Sequence, residues 1–245
     1  MMFEQKRRMD RNMKSQTHSP NCLCAHRGLL SAFGPTGLSL PASGAPAGQD
    51  LRASSLPDTP AAAAAEHYLY AISSPAMVRH CKRCYLFGKA LAEKAGAKPD
   101  LEALYVGCLF HDLGLEPIFE GPDDFETIGS REAERFLIAR GHDQLAQQVS
   151  AAIELHTSVE TANDPRPEVA FLHMGAMVDV TGMRIDQIEP RLIQQVVAEY
   201  PRDGTKALLV AMLKHQIDTK PQSRIGRIAT QVDVLKFVAS APFPS

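Results

Sequence analysis

From about Leu56 onward, apolar residues recur at helical spacing, and no stretch alternates strictly between apolar and polar. Ala61 to Ile72 is alanine-rich and follows Pro60, which predicts a first helix. Met77, His80, Cys81, Cys84, Gly88 and Leu91 share one face of a second. Leu101, Leu104, Tyr105, Cys108 and Leu109 mark the next, after the breaker Pro99-Asp100. A polar loop with Gly121 and Pro122 leads to a helix from about Glu126 to Ala139, ended by Gly141. Leu145, Val149, Ala152 and Ile153 mark another, and Val169 to Thr181 is apolar nearly all round, as in a buried helix. Further helical patterns run from Leu192 to Glu199 and from Lys206 to Ile217, and one last helix is expected from Ile225 to Val238. The pattern predicts an all-α bundle with short connections and no internal repeat.

Residues 1 to about 55 are different: rich in Ser, Pro, Gly and Ala, with no apolar period. They read as a disordered extension over 1–50 ahead of a helical domain over 51–240. An early start codon and an organelle transit peptide are the alternatives, although the basic residues form no clean amphipathic helix. The 245 residues are 44% hydrophobic, enough to bury a full core. A formal net charge of -2 demands neither a nucleic acid nor an anionic membrane as partner. No stretch has the apolar length of a membrane span. Five cysteines, an odd number without a framework of spacings, fit a reducing cytoplasm. The expected partner is a small-molecule substrate, and a homo-oligomer stays open.

Candidate chemistry enters through polar residues on apolar stripes. His111 and Asp112 continue the stripe of Leu104, Tyr105 and Cys108, so both are expected to point inward. A buried carboxylate beside a buried imidazole is costly unless something offsets the lost hydration, and a divalent cation does so directly. His80 shares its stripe with Cys84 and Gly88, His156 ends the stripe of Leu145 to Ile153, and Asp179 continues Leu172, Gly175 and Ala176. Any one of these reads most simply as a hydrogen-bonded core histidine or half of an ion pair. Together they break the same rule on four helices. A metal centre of His80, His111, Asp112 and Asp179 is therefore expected, with one divalent transition metal, zinc before iron or manganese.

The order His80, His111-Asp112, Asp179 resembles the H…HD…D signature of the HD superfamily of metal-dependent hydrolases. The flanking residues resemble a cyanamide-hydratase-like subgroup. They are Leu56-Pro57-Asp58-Thr59, Ser74-Pro75 ahead of His80-x-x-Arg83-x-Tyr85, Cys108 through Leu115, and Phe125-Glu126 with Gly129 and Ala133. The resemblance covers roughly residues 51 to 235. Two-metal members of that superfamily carry a further histidine where this chain has Phe125-Glu126, so a mononuclear centre is implied.

Water activated by the metal is the implied nucleophile. Asp112 would bind metal and steer the water, and His156 would act as general acid or substrate donor. Glu126 would hydrogen-bond water or substrate, while Arg83, one turn past His80, would bind an anionic group or pair with a carboxylate. The resemblance leaves hydration of a nitrile-like molecule and phosphoester hydrolysis both open, with a non-catalytic ligand-binding domain as a third reading. The segment from Glu116 to Glu126 holds five acids and no Lys or Arg, which favours a small neutral substrate. Cys81-x-x-Cys84 lies inside a helix without a second pair and reads as core, and Cys22-x-Cys24-x-His26 is too compact for a structural zinc site. His173 reads as a packed neighbour of the centre, and Lys214-His215 as a solvated face.

Overall fold

A computed structural model describes residues 56–243; the expected extension over 1–50 and the Cys22–His26 cluster lie outside the described residues. Ten α-helices and no strand are found among the described residues. They are α1 (Pro60–Ile72), α2 (Pro75–Ala95), α3 (Leu101–Phe110), α4 (Phe125–Ile138), α5 (Asp143–Leu155), α6 (Pro167–Thr181), α7 (Pro190–Glu199), α8 (Thr205–Thr219), α9 (Arg224–Ala229) and α10 (Val234–Ala239). Short 3₁₀ turns occupy Leu113–Leu115, Pro117–Phe119, Val159–Asn163 and Ile185–Gln187. No helix among the described residues is long and apolar enough to cross a membrane.

The helix starts follow from local chemistry. Thr59 and Ser74 each cap the amide three residues on and are each followed by a proline, whose missing N–H costs nothing in a first turn. Asp100 accepts from the amides of Glu102 and Ala103 at 3.0 Å, which starts α3 where the breaker was read. α2 ends at Gly96 with φ 68°, in the left-handed region.

α3 runs through the middle of the bundle, with every residue from Ala103 to Phe110 buried. Ten residues are too few for a stable helix in water. Packing holds it: Leu104, Tyr105, Leu109 and Phe110 are wholly buried, and each such side chain contributes about 1.5–3 kcal/mol. α2 and α6 pack side by side at two glycines. A Cβ at Gly88 would lie 2.4 Å from the Phe171 carbonyl oxygen, and one at Gly175 would lie 2.1 Å from that of Cys84. The backbones of these two helices therefore touch, where ordinary side chains would hold them apart.

One expectation is corrected. The single last helix over Ile225–Val238 is two short helices, α9 and α10, separated at Thr230–Asp233. Asp233 accepts from the Lys236 amide and so begins a new helix in the middle of the apolar pattern.

Candidate metal centre

The centre lies where α2, α3 and α5 end or pass inside the bundle. His80, in the second turn of α2, is completely buried. His111 closes α3 as its C-cap, and Asp112 follows at φ -104°, ψ 12°, where the chain turns out of the helix. His156 is the C-cap of α5. All four side chains are buried.

Each imidazole has its Nδ1 facing an oxygen acceptor. Nδ1 of His80 donates to Asp179 Oδ2 (2.7 Å), Nδ1 of His111 to the Cys108 carbonyl (2.8 Å), and Nδ1 of His156 to the Ile153 carbonyl (2.7 Å). With the proton assigned to Nδ1 by the backbone carbonyls, Nε2 of His111 and of His156 carries a lone pair, while His80 has a carboxylate at each ring nitrogen. All three Nε2 atoms converge on one carboxylate: His80 Nε2 and His111 Nε2 lie 3.3 Å from Asp112 Oδ2, and His156 Nε2 lies 3.7 Å from Asp112 Oδ1. His111 and His156 thus turn lone pairs toward Asp112, while His80, between Asp112 and Asp179, can donate to either carboxylate. The donor atoms of His111, Asp112 and His156 all fall within 4.8 Å of one another. Neighbouring ligands of a tetrahedral zinc-type ion, bound at about 2.0–2.1 Å, lie about 3.3 Å apart, so the set fits such an ion.

The electrostatics agree. Burial disfavours a charged His80, but Asp112 and Asp179 outweigh it and raise its pKa. A proton on His80 can thus stand in for a cation. Burial lowers the pKa of His111 and takes that of His156 down to about 3, where His111 and His173 add to the effect. Both rings are therefore neutral near pH 7, as a metal ligand must be. Burial opposes ionisation of Asp112, yet the surrounding histidines hold its pKa well below the usual carboxylate range.

Two expectations change. Asp179 was expected as a ligand, but it lies behind His80, and both of its oxygens are already engaged. Arg83 donates from Nε to Oδ1 (2.7 Å) and from Nη2 to Oδ2 (3.0 Å), and Arg202 donates to Oδ1 from Nη1 and to the Asp179 carbonyl from Nη2 (2.9 Å). Among the described residues, no group able to hold a metal includes Asp179. Its carboxylate orients His80 from the rear. Of the two readings of Arg83, an anionic group or a carboxylate, the structure shows the carboxylate, and the remaining donors are taken: Nη1 reaches the carbonyls of Tyr200 (3.0 Å) and Pro201 (3.1 Å), and Nη2 reaches Thr205 Oγ1 (3.2 Å). His156 takes the place in front that Asp179 was assigned.

Glu126 is wholly buried at the start of α4 and accepts from Thr157, next to His156. Its second oxygen has no partner, and Arg224 Nη1 lies 3.7 Å from the first. Burial raises its pKa. His173 donates to the His156 carbonyl (2.7 Å) and so braces that segment. A second group, His80, Cys84 and His111, also meets the distance condition for a metal. Cys84 Sγ, however, is 3.6 Å from both ring nitrogens of His80, which puts it across the ring and off the line of the Nε2 lone pair. Sequence reasoning missed Arg202, Thr205 and Ser73. Arg202 follows Pro201 in a loop and has no periodic signal.

The HD domain family model matches residues 77–236, about two thirds of the chain and all four front residues. The chain belongs to the HD domain family. Members of the HD domain family are mostly metal-dependent hydrolases, and the convergent histidines and aspartate of this HD domain are groups that could hold the metal. A search of the curated proteins finds no match.

Proposed function

We propose that this HD domain is a metal-dependent hydratase that adds water to a small neutral, nitrile-like molecule such as cyanamide. His80, His111, Asp112 and His156 would hold one divalent transition ion, zinc before iron or manganese. The ion would supply Lewis-acid activation of water. Asp112 Oδ1, turned toward His156, is placed to orient that water. Neutral His156 would hold the ion through Nε2, because its Nδ1 is held by the Ile153 carbonyl. Glu126 acts at one remove, through Thr157, and fixes where His156 stands. Asp179 fixes His80.

The observation that supports the reading is three buried imidazole Nε2 atoms meeting at one buried carboxylate. The neutral substrate is supported by a count of cations. Arg83 and Arg202 are spent on Asp179, and Arg224 is engaged with Glu154 and Thr157. With these three guanidiniums each bonded to protein acceptors, the charge of a phosphate ester is poorly matched by them.

The test is a screen of metal-reconstituted protein, with cyanamide and small nitriles on one plate and nucleotides and phosphomonoesters on another. Turnover confined to the first plate is expected. Release of phosphate on the second, with the first silent, replaces hydration by phosphoester hydrolysis. Silence on both, from protein carrying one metal per chain, points to a ligand-binding domain.

A further inference from the structure

The last described residues return to the region behind His80. α10 gives way at Ser240, and Pro242 then lies on the end of α6: a Cβ at Gly182 would be 2.2 Å from Pro242 Cδ. Gly182 caps that helix three residues past Asp179. Phe243 follows, buried, and its ring stacks on Phe87 of α2 with centroids 6.1 Å apart and planes at 22°. Phe87 stands seven residues past His80, two turns along the same face. From α8, Lys206 Nζ donates to the Phe243 carbonyl (2.8 Å). One short segment thus touches the helix of His80, the helix of Asp179 and α8.

The same ring carries Arg202. The guanidinium carbon lies over the Phe243 ring, 4.2 Å from its centroid. Arg202 is buried and donates to Asp179 Oδ1 from Nη1 and to the Asp179 carbonyl from Nη2 (2.9 Å). Its Nε has no hydrogen-bond partner among the described residues. Arg83 holds the same carboxylate, and its like charge repels Arg202. Polar partners therefore hold one edge of this guanidinium and leave its flat face to Phe243. An aromatic face attracts such a cation most strongly where water is excluded. The backbone around Arg202 is fixed separately, because Arg79 donates to the carbonyls of Pro201 (2.7 Å) and Asp203 (3.1 Å). The direction of the Arg202 side chain is thus set by Asp179 at its edge and Phe243 at its face. An aliphatic residue at 243 would fill the space without attracting the cation.

We propose that Phe243 is a positioning residue for the metal centre: its ring face holds Arg202 on Asp179, and Asp179 in turn fixes the direction of His80. The proposal rests on the metal-centre reading for its last link alone, from His80 to the ion; the earlier links are contacts within the protein. A bare packing role predicts something else. Its loss would cost stability by an amount that does not depend on Arg202, whereas a role through the ring face vanishes with the cation it faces.

Zinc affinity of the full chain is read by chelator competition, beside urea stability and the nitrogen NMR spectrum of the histidine rings in metal-free protein. Phe243→Leu should weaken zinc about fivefold, less than the roughly 10–100-fold loss usual for a residue that contacts a ligand directly. Phe243→Tyr keeps the ring face and should stay within about twofold of wild type. In an Arg202→Gln background, Phe243→Leu should change zinc affinity by less than about twofold, since the two residues act in series. The His80 ring signals should move with Phe243→Leu while those of His156, in front, stay in place. Equal weakening by Phe243→Leu with and without Arg202, unchanged affinity in the folded variant, or a Phe243→Tyr as weak as Phe243→Leu overturns the proposal. Should Phe243→Leu or Arg202→Gln fail to fold, pentafluorophenylalanine at position 243 keeps the ring's shape and reverses the charge of its face. Zinc affinity equal to wild type then overturns the proposal, and a loss of about fivefold supports it. If wild type binds no zinc, the metal reading fails and the spectrum decides alone: His80 signals that move with Phe243→Leu only while Arg202 is present keep the positioning, and signals that do not move overturn it.

Discussion

The two nitrogens of His80 look onto regions built on opposite electrostatic plans. Behind Nδ1, Asp179 is one negative charge met by two guanidiniums, a ring N–H and a dense set of donors. In front of Nε2, Asp112 is one negative charge met by three imidazole nitrogens and no fixed cation. Both regions are buried, so water does not settle either account. The rear pairs both oxygens of its carboxylate as the polypeptide folds, with Arg202 Nε alone left without an acceptor in that cluster. The front is complete only when a proton or a metal ion joins it. Two aspartates that look alike in the sequence therefore meet different partners, arginines at Asp179 and histidines alone at Asp112.

The sharpest way to break this comparison is Asp112→Ala. Turnover should vanish and bound metal should fall from about one per chain to near zero by elemental analysis. Turnover that survives would take Asp112 out of the mechanism.

Next in size, Arg83→Met should destabilise the metal-free protein by about 3–5 kcal/mol in urea, since it leaves a buried carboxylate undercompensated. A loss under about 1 kcal/mol would mean that the rear is not a clamp. Asp179→Asn should weaken metal binding about 10–100-fold in chelator competition, the usual effect of losing a residue that orients a ligand. Complete loss of the metal from a folded protein would restore Asp179 to the ligand set.

The smallest effect is on pH. His156 has a folded pKa of about 3 against an ordinary 6.5. Below pH 6.5 the unfolded chain therefore takes up a proton that the native chain refuses, and stability falls with pH until about 3. His111 acts in the same direction; His80, whose pKa is raised, acts against them. A net loss of roughly 1 kcal/mol per pH unit between 6.5 and 4 is expected for metal-free protein, read from urea midpoints. A flat profile would mean that the front rings are not held neutral.

The bundle was legible because nearly every helix has both an apolar stripe and a local start signal, such as Thr59-Pro60 or Ser74-Pro75. His80, His111, Asp112 and His156 could be read as inward for the same reason. Periodicity says that a residue points into the core but not which neighbour it meets there. It could not tell that Asp179 would face arginines while Asp112 faces histidines, because Arg202 arrives from the loop between α7 and α8, more than twenty residues on. Glu116 was read only as part of an acidic segment, and its burial depends on the turn at Leu113–Leu115, which carries no repeat. The break between α9 and α10 was hidden by Val232 and Val234, which continue the apolar pattern across Asp233.

The contact between Gly88 and Gly175 has a consequence for how this protein can vary. Side chains can be swapped for others of like volume, and cores absorb such exchanges by re-adjusting rotamers. Main chain against main chain has no such slack: a single added methyl at either position would wedge α2 from α6 and draw His80 away from Asp179. The alignment of the metal centre is thus gauged by the two residues that contribute no side chain at all.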